Sequence, residues 1–452
     1  MRALAALAAV VAGGLSLAAA APEPRFDAAH AGNPLLPGYF ADPSIVRDGN
    51  RWYIFATIDP WGGDALGLWT SDNGRDWRFS TPNWPTRAAA TSPTSSDAKV
   101  WAPSVVKAAN GRWYMYVSVG SEVWVGSAAS PAGPWADANG GKPLIGRDFD
   151  RRYHMIDAEA FIDTDGQAYL YWGSGLNWVN GHCFVVKLKP DMVRFDGPVR
   201  DVTPPNYFEG PFMMRQGKHY VLSYSDGKTT EDTYKVRYAI GDTPFGPFRE
   251  GPGSPILSTD AARNVISPGH HAIFRSGRQA YILYHRHGLP FLPSGDAVLR
   301  QVAIDPIRLN DDGTIARVVP GHGGPVRGFA ARRAQGLPWR ASGQGRDTLH
   351  GPERAGDDNY ATGWIPATAM PPRIVADLGT AKPVGESSLR MGFPVQSHAL
   401  TIEGSADGKR WTRLAGESAA SGSPIVLRHA ARTRYLRLTV PQDATLLEWT
   451  IR

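Results

Sequence analysis

Ala41-Asp42-Pro43-Ser44-Ile45-Val46 opens a phrase, DPSIVRDGNRWYIFA from Asp42, that returns four more times along the chain. The later copies are APSVVKAANGRWYMYVS from Ala102, DAEAFIDTDGQAYLYWG from Asp157, EGPFMMRQGKHYVLSYS from Glu209 and HHAIFRSGRQAYILYHR from His270, at steps of 60, 55, 52 and 61 residues. Each copy joins a small or polar residue to an apolar run, a Gly-containing turn and a second apolar run. A strand, a tight turn and a second strand at this period are the sequence form of a β-propeller blade. Five copies predict five blades.

In a propeller the first strand of every blade lines the central axis, so residues equivalent in the repeat converge there. At or within one residue of that position stand Asp42, Asp157, Glu209 and His270. Ala102 holds it in the second copy, so the repeat itself does not demand a carboxyl.

The 452 residues suffice for more than one domain, and 42% hydrophobic residues can bury a full core. Fifty Gly, 37 Pro, 15 Trp, 16 Tyr and 16 Phe suit an all-β chain rich in turns. The formal charge of +6 is scattered among acidic residues without a basic run or helix, which argues against a nucleic-acid partner. Met1-Arg2 and the Ala-rich apolar stretch to Ala21 read as a signal peptide over residues 1–21, hence a secreted or periplasmic protein with no membrane contact after cleavage. A monomer is expected. The single cysteine, Cys183, has no internal partner and sits in an apolar strand pattern, as a buried inert thiol would.

The expected order is a propeller over residues 33–324, a linker over 325–342 and a separate unit over 343–452. That last unit alternates apolar and polar residues and has an Asp-Gly hairpin at Asp407-Gly408, the pattern of a β-sandwich.

Three acids and a histidine on one axis admit three readings: a metal cage, a solvated structural cluster, or glycoside hydrolysis by one protonated and one ionised carboxyl. The surroundings differ in a way hydrolysis needs. Asp42 precedes a proline and would stay ionised if open to water. Glu209 lies among Tyr207, Phe208, Pro211 and Phe212, where burial raises a carboxyl pKa and keeps its proton. If Asp157 lies close to Glu209, it raises that pKa further.

These phrases resemble glycoside hydrolase family 43, the five-bladed propeller enzymes acting on arabinose- and xylose-containing polysaccharides. The likeness rests on ADPS at Ala41–Ser44, MIDAEAFID at Met155–Asp163 and EGP at Glu209–Pro211, and covers about Asn33 to Gly324. It implies Asp42 as general base, Asp157 as modulator of the acid and Glu209 as general acid, with inversion of the anomeric centre. The sequence departs from the common third phrase, having Ala158-Glu159 where Pro-Ser is usual. The likeness also implies His270, or its neighbour His271, facing a calcium ion or water in the channel, and Arg300 touching substrate or the acids. No cofactor is required for the chemistry, but a structural Ca2+ is compatible with it. Phe40 and Trp101, beside the first two phrases, are candidate substrate-binding aromatics, with blade packing as the alternative for Trp101. The implied partner is a polysaccharide or oligosaccharide, and the implied type an α-L-arabinofuranosidase or β-xylosidase; the alternatives are a non-catalytic glycan-binding propeller, or the same fold acting on arabinan (endo) or galactan. The C-terminal unit resembles the discoidin-like, jelly-roll sandwich of coagulation-factor type C domains and family 32 carbohydrate-binding modules, on Asp358, Thr362, Trp364, ADLG and SADGKRW.

Overall fold

The computed structural model describes residues 24–95, 99–288, 298–324, 339–341, 345–367 and 371–452. The leader over residues 1–21 and most of the expected linker lie outside these. The described chain is all-β, with helical structure confined to 3-10 segments such as Ala261–Arg263 and Pro352–Gly356.

Each repeated phrase forms the first two strands of an antiparallel sheet. The first sheet runs Phe40–Asp48, Arg51–Ile58, Gly67–Ser71, Arg78–Ser80, and the second Val100–Lys107, Trp113–Val119, Val123–Ala128, Ala136–Asp137. The third is Glu159–Ile162, Ala168–Trp172, Phe184–Leu188, Arg200–Asp201. In the fourth, Glu209–Gln216 and His219–Asp226 are followed by Lys235–Gly241, which pairs with both Arg249–Glu250 and Leu257–Ser258. Gly269–Ser276, Gln279–His287 and Arg300–Ile307 make the fifth.

The second strands are buried on both faces, which is why they read as continuous apolar runs and not as alternating ones. Ile54, Met115, Leu170, Leu222 and Ile282 hold the same register position in the five sheets, and all are fully buried. Each contributes roughly 1.5–3 kcal/mol relative to an exposed side chain. A separate apolar cluster fills the space between each sheet and the next, including one that joins the fifth to the first. The five first strands accordingly touch one another in a closed cycle.

Closure is also made in hydrogen bonds. Leu35 N–H donates to Val302 O, and the Asn33 side chain bonds both the N–H and the C=O of Ile304, so the segment that leads into the first sheet lies along the last strand of the fifth.

The C-terminal part is one sheet of Trp339–Ala341, Arg373–Met391, His398–Ser405, Thr412–Ala420, Ile425–Thr439 and Leu446–Ile451, over a core that includes Trp364, Leu389, Leu438 and Trp449. Residues 339–341 correct the expected linker: they pair with Ile374–Ala376 as an edge strand. This part is tied to the five sheets. Phe79 N–H donates to Ser423 O, Arg390 to Trp77 O and Gln301 to Tyr360 O, and the Tyr39 and Phe393 rings meet at 5.1 Å.

Candidate active site

One backbone device places the side chains. At the start of the inner strands, Asp42, Ala102, Asp157, Gly210 and His270 all have positive φ, between 42° and 60°, and in four of the five sheets the pairing register slips there. Such a bulge turns one residue out of the ladder and re-aims it. A left-handed residue other than Gly or Asn/Asp is costly, so its N–H needs a firm partner. Ala102 N–H donates to Thr57 Oγ1, Asp157 N–H to Ser118 Oγ, His270 N–H to Ser225 Oγ and Asp42 N–H to His285 Nδ1. Each acceptor lies near the end of the preceding sheet's second strand. The third sheet has Gly173 at that point, and there the Asp157 carboxylate accepts the Gly210 N–H instead. In the fourth sheet the bulge residue is Gly210, where a Cβ would come within 3.3 Å of the His270 ring, and Glu209 stands one position earlier.

The device opens onto a cavity of about 490 Å³, whose lining includes Asp42, Asp157, Glu209, His270, Arg300 and Trp101. Six of the seven residues singled out from sequence are therefore brought together. Phe40 is the exception and is corrected: it is fully buried between the first and fifth sheets, edge-on to Trp69 at 5.3 Å, and cannot touch a ligand. Trp101 is a wall of the cavity, fixed by its Nε1–H to Trp61 O at 2.7 Å. His271 points away from the cavity, its Nε2 lying 2.7 Å from Ser223 Oγ.

Asp42 is 6% exposed yet surrounded by polar partners. Thr57 Oγ1–H donates to its Oδ2 at 2.7 Å, Arg300 Nη1–H to its Oδ1 at 3.1 Å, and His270 Nδ1 lies 3.3 Å from Oδ1. Burial pushes its carboxyl upward, but the Arg300 guanidinium and His270 outweigh it and hold Asp42 well below the usual carboxylate range. His285, pushed down to about 3 mainly by burial, is neutral and accepts the Asp42 N–H on Nδ1.

The other two acids behave oppositely. Burial and the neighbouring Glu209 and Asp42 charges raise Asp157 well above its ordinary value, and burial raises Glu209 against the pull of His270 and the Tyr234 hydrogen bond. Burial and mutual repulsion thus disfavour ionising both carboxyls at once, and the two titrate as a unit above the ordinary carboxyl range. Glu209 is oriented at both oxygens, by Tyr234 Oη–H to Oε1 at 2.6 Å and Ser174 Oγ–H to Oε2 at 3.0 Å. A narrower space of about 170 Å³ continues along the axis past Pro103, Glu159 and His271. Burial pushes Glu159 up to about 8 and His271 down to about 3, so both are neutral near pH 7 and charge is concentrated in the main cavity.

A family model described as glycosyl hydrolases family 43 matches residues 31–315. The chain belongs to this family. As a family 43 glycoside hydrolase it is 31% identical to a beta-D-galactofuranosidase of Aspergillus niger over 64% of this chain and 85% of that one. An arabinoxylan arabinofuranohydrolase of Bacillus subtilis is 28% identical over 65% of each chain. One solved glycoside hydrolase, 27% identical, superposes over 95% of this chain and 100% of its own with a TM-score of 0.77.

For the expected calcium, the donors gathered among the described residues are Asp157, Glu209 and His270, with ligand atoms within 4.8 Å of one another. Two carboxylates and one imidazole supply only part of the six to eight ligands, mostly oxygens, that calcium takes, so an ion held there would draw the rest of its shell from water.

Besides Thr57 and His285, four further residues of the site escaped the sequence reading. Asp59 binds Arg300 three times, through its backbone N–H, Nε and Nη2, at 2.7–3.0 Å. Trp61 faces the Arg300 guanidinium at 4.9 Å, and Tyr234 and Ser174 hold Glu209. None lies in the first strand of the repeated phrase, the part whose period makes equivalent residues visible in the sequence.

Proposed function

We propose that the protein is an exported, monomeric, inverting glycosidase that removes pentofuranosyl or xylosyl units from plant polysaccharides or oligosaccharides, of α-L-arabinofuranosidase or β-xylosidase type. The five sheets and their closed cycle of first strands support a five-bladed propeller, and the C-terminal sheet supports a discoidin-like sandwich. The observation that carries the functional reading is the opposed tuning of carboxyls in one cavity: Arg300 holds the Asp42 carboxyl below the usual range, while burial raises those of Glu209 and Asp157. Asp42 is then the base that activates water, Glu209 the acid that protonates the leaving oxygen, and Asp157 the group that holds the acid's proton in place. Inversion places the base and acid about 6.5–9.5 Å apart, with water between.

The names of the relatives favour a second substrate as well. A galactofuranosidase and an arabinofuranohydrolase both act on five-membered-ring sugars, and β-D-galactofuranose has the ring configuration of α-L-arabinofuranose. The test is nitrophenol release from aryl α-L-arabinofuranoside, β-D-galactofuranoside and β-D-xyloside. Glu209→Gln and Asp42→Asn are expected to lose on the order of 10²–10⁴-fold on polymeric substrate with folding intact. A wild type inert on all three glycosides, arabinan and arabinoxylan would exclude the reading, and a first-formed sugar of retained configuration by NMR would exclude the mechanism.

A further inference from the structure

Arg300 meets Asp42 only because Asp59 holds it, and Asp59 is held in turn by Tyr39. The Asp59 N–H donates to Tyr39 O at 3.2 Å, while its carboxylate accepts from the Arg300 backbone N–H, Nε and Nη2. Since one of those bonds comes from the backbone, the place of the strand at residue 300 matters as much as the side chain. The C-terminal part grips both Tyr39 and that strand.

The Tyr39 ring is wedged at opposite edges. The Phe393 ring lies 5.1 Å from it, and a Cβ on Gly392 would come within 3.4 Å of its Cε2. At the Cε1 edge stands Gly288, where a Cβ would come within 3.0 Å. Gly288 N–H donates at 2.6 Å to the carbonyl of Leu299, the residue before Arg300. The two parts approach backbone to backbone here: a Cβ on Gly38, whose φ is 106°, would stand 2.8 Å from Gly392 O.

The second grip is on the strand. Successive side chains of a strand face opposite ways, so Arg300 turns to Asp42 while Gln301 turns to the C-terminal part. There the Gln301 amide, 2% exposed, donates to Tyr360 O at 2.9 Å. The remaining ties differ in kind. Phe79 N–H to Ser423 O and Arg390 to Trp77 O reach the outermost strand of the first sheet and the residue just before it, and touch neither Arg300 nor Asp59.

We propose that the C-terminal part is a positioning element of the active site, holding Asp59 through Phe393 and Tyr39, and the Arg300 strand through Tyr360 and Gln301, so that the guanidinium meets Asp42. This rests on Asp42 being the base. The measurement is kcat and KM on the aryl glycoside that the wild type cleaves fastest. Phe393→Ala is expected to lower kcat about tenfold, as a small misplacement of a catalytic constellation does. Phe393→Tyr, which keeps the ring against Tyr39, is expected to retain full activity. Gln301→Met removes the second grip at similar volume and is expected to lower kcat in the same way; it carries the test if Phe393→Ala does not fold. Added to Asp59→Asn, whose guanidinium is already released, either substitution is expected to cost less than about twofold more, because residues acting through one another are not additive. A folded Phe393→Ala or Gln301→Met with unchanged kcat, even at a lower denaturation midpoint, overturns the proposal alone. So do losses that multiply in full with that of Asp59→Asn. A wild type inert on every aryl glycoside overturns the proposed function and this inference with it.

Discussion

Asp42 and Ala102 occupy the same place in consecutive sheets. Their φ values are 51° and 42°, both are bulged, and both donate their N–H to a side chain on the neighbouring sheet's second strand. What surrounds the two side chains differs. Asp42 meets Arg300, Thr57 and His270, whereas Ala102 brings no polar group to the axial space it lines. The bulge therefore aims a residue without caring which one it is, and chemistry is added by partners that arrive from other sheets.

The largest effect comes from breaking that difference at its source. Asp59→Asn removes the buried carboxylate on which Arg300 is anchored and leaves Asp42 closer to the bare condition of Ala102. Leaving a buried guanidinium half-paired costs about 3–5 kcal/mol, read as a lower denaturation midpoint. Displacing it by even about 1 Å lowers kcat/KM on the order of 10²-fold. Full activity at an unchanged midpoint would mean that Arg300 does not need Asp59.

A second substitution sharpens the contrast between the ionised and protonated ends of the site. The Tyr234 hydroxyl donates to Glu209 and favours its ionised form, so Tyr234→Phe raises the Glu209 pKa. The proton is then kept to higher pH, and the alkaline limb of kcat/KM moves upward by about one pH unit. The acid limb, set by Asp42, is expected to stay in place. Movement of both limbs together would show that the two ends are not tuned separately.

The smallest effect tests the scaffold itself. Ala102→Gly relieves a left-handed alanine at the cost of one buried methyl, two terms of about 1 kcal/mol each that oppose one another. Stability is expected to change by less than about 1 kcal/mol, with activity retained. A large loss of activity would mean that the second sheet contributes to the site after all.

The repeated phrase carried much of this into the sequence, because closely spaced strands and a Gly turn leave a periodic trace. Asp42, Asp157, Glu209 and His270 were legible since each sits at one end of that trace. Phe40 was misread because an aromatic next to the axis in sequence points the other way in a strand, into the core against Trp69. Asp59, Tyr234 and Ser174 left no such mark, as they come from loops and strand ends whose roles depend on what lies across the cavity. A signal for the N–H acceptors did exist. Thr57, Ser118, Ser225 and His285 stand opposite the residue before each bulge, and aligning the ends of the second runs would have lined them up.

The seam between Asn33–Leu35 and the Val302–Ile304 strand has a consequence for how the molecule is made. Asp42 leaves the ribosome among the first residues of the ring, and Arg300, its counter-charge, some 258 positions later. Until then the first sheet has an open flank and its acid no guanidinium. A nascent chain is thus without a working site until nearly the whole ring has been translated, and catalytic competence arrives in one late step.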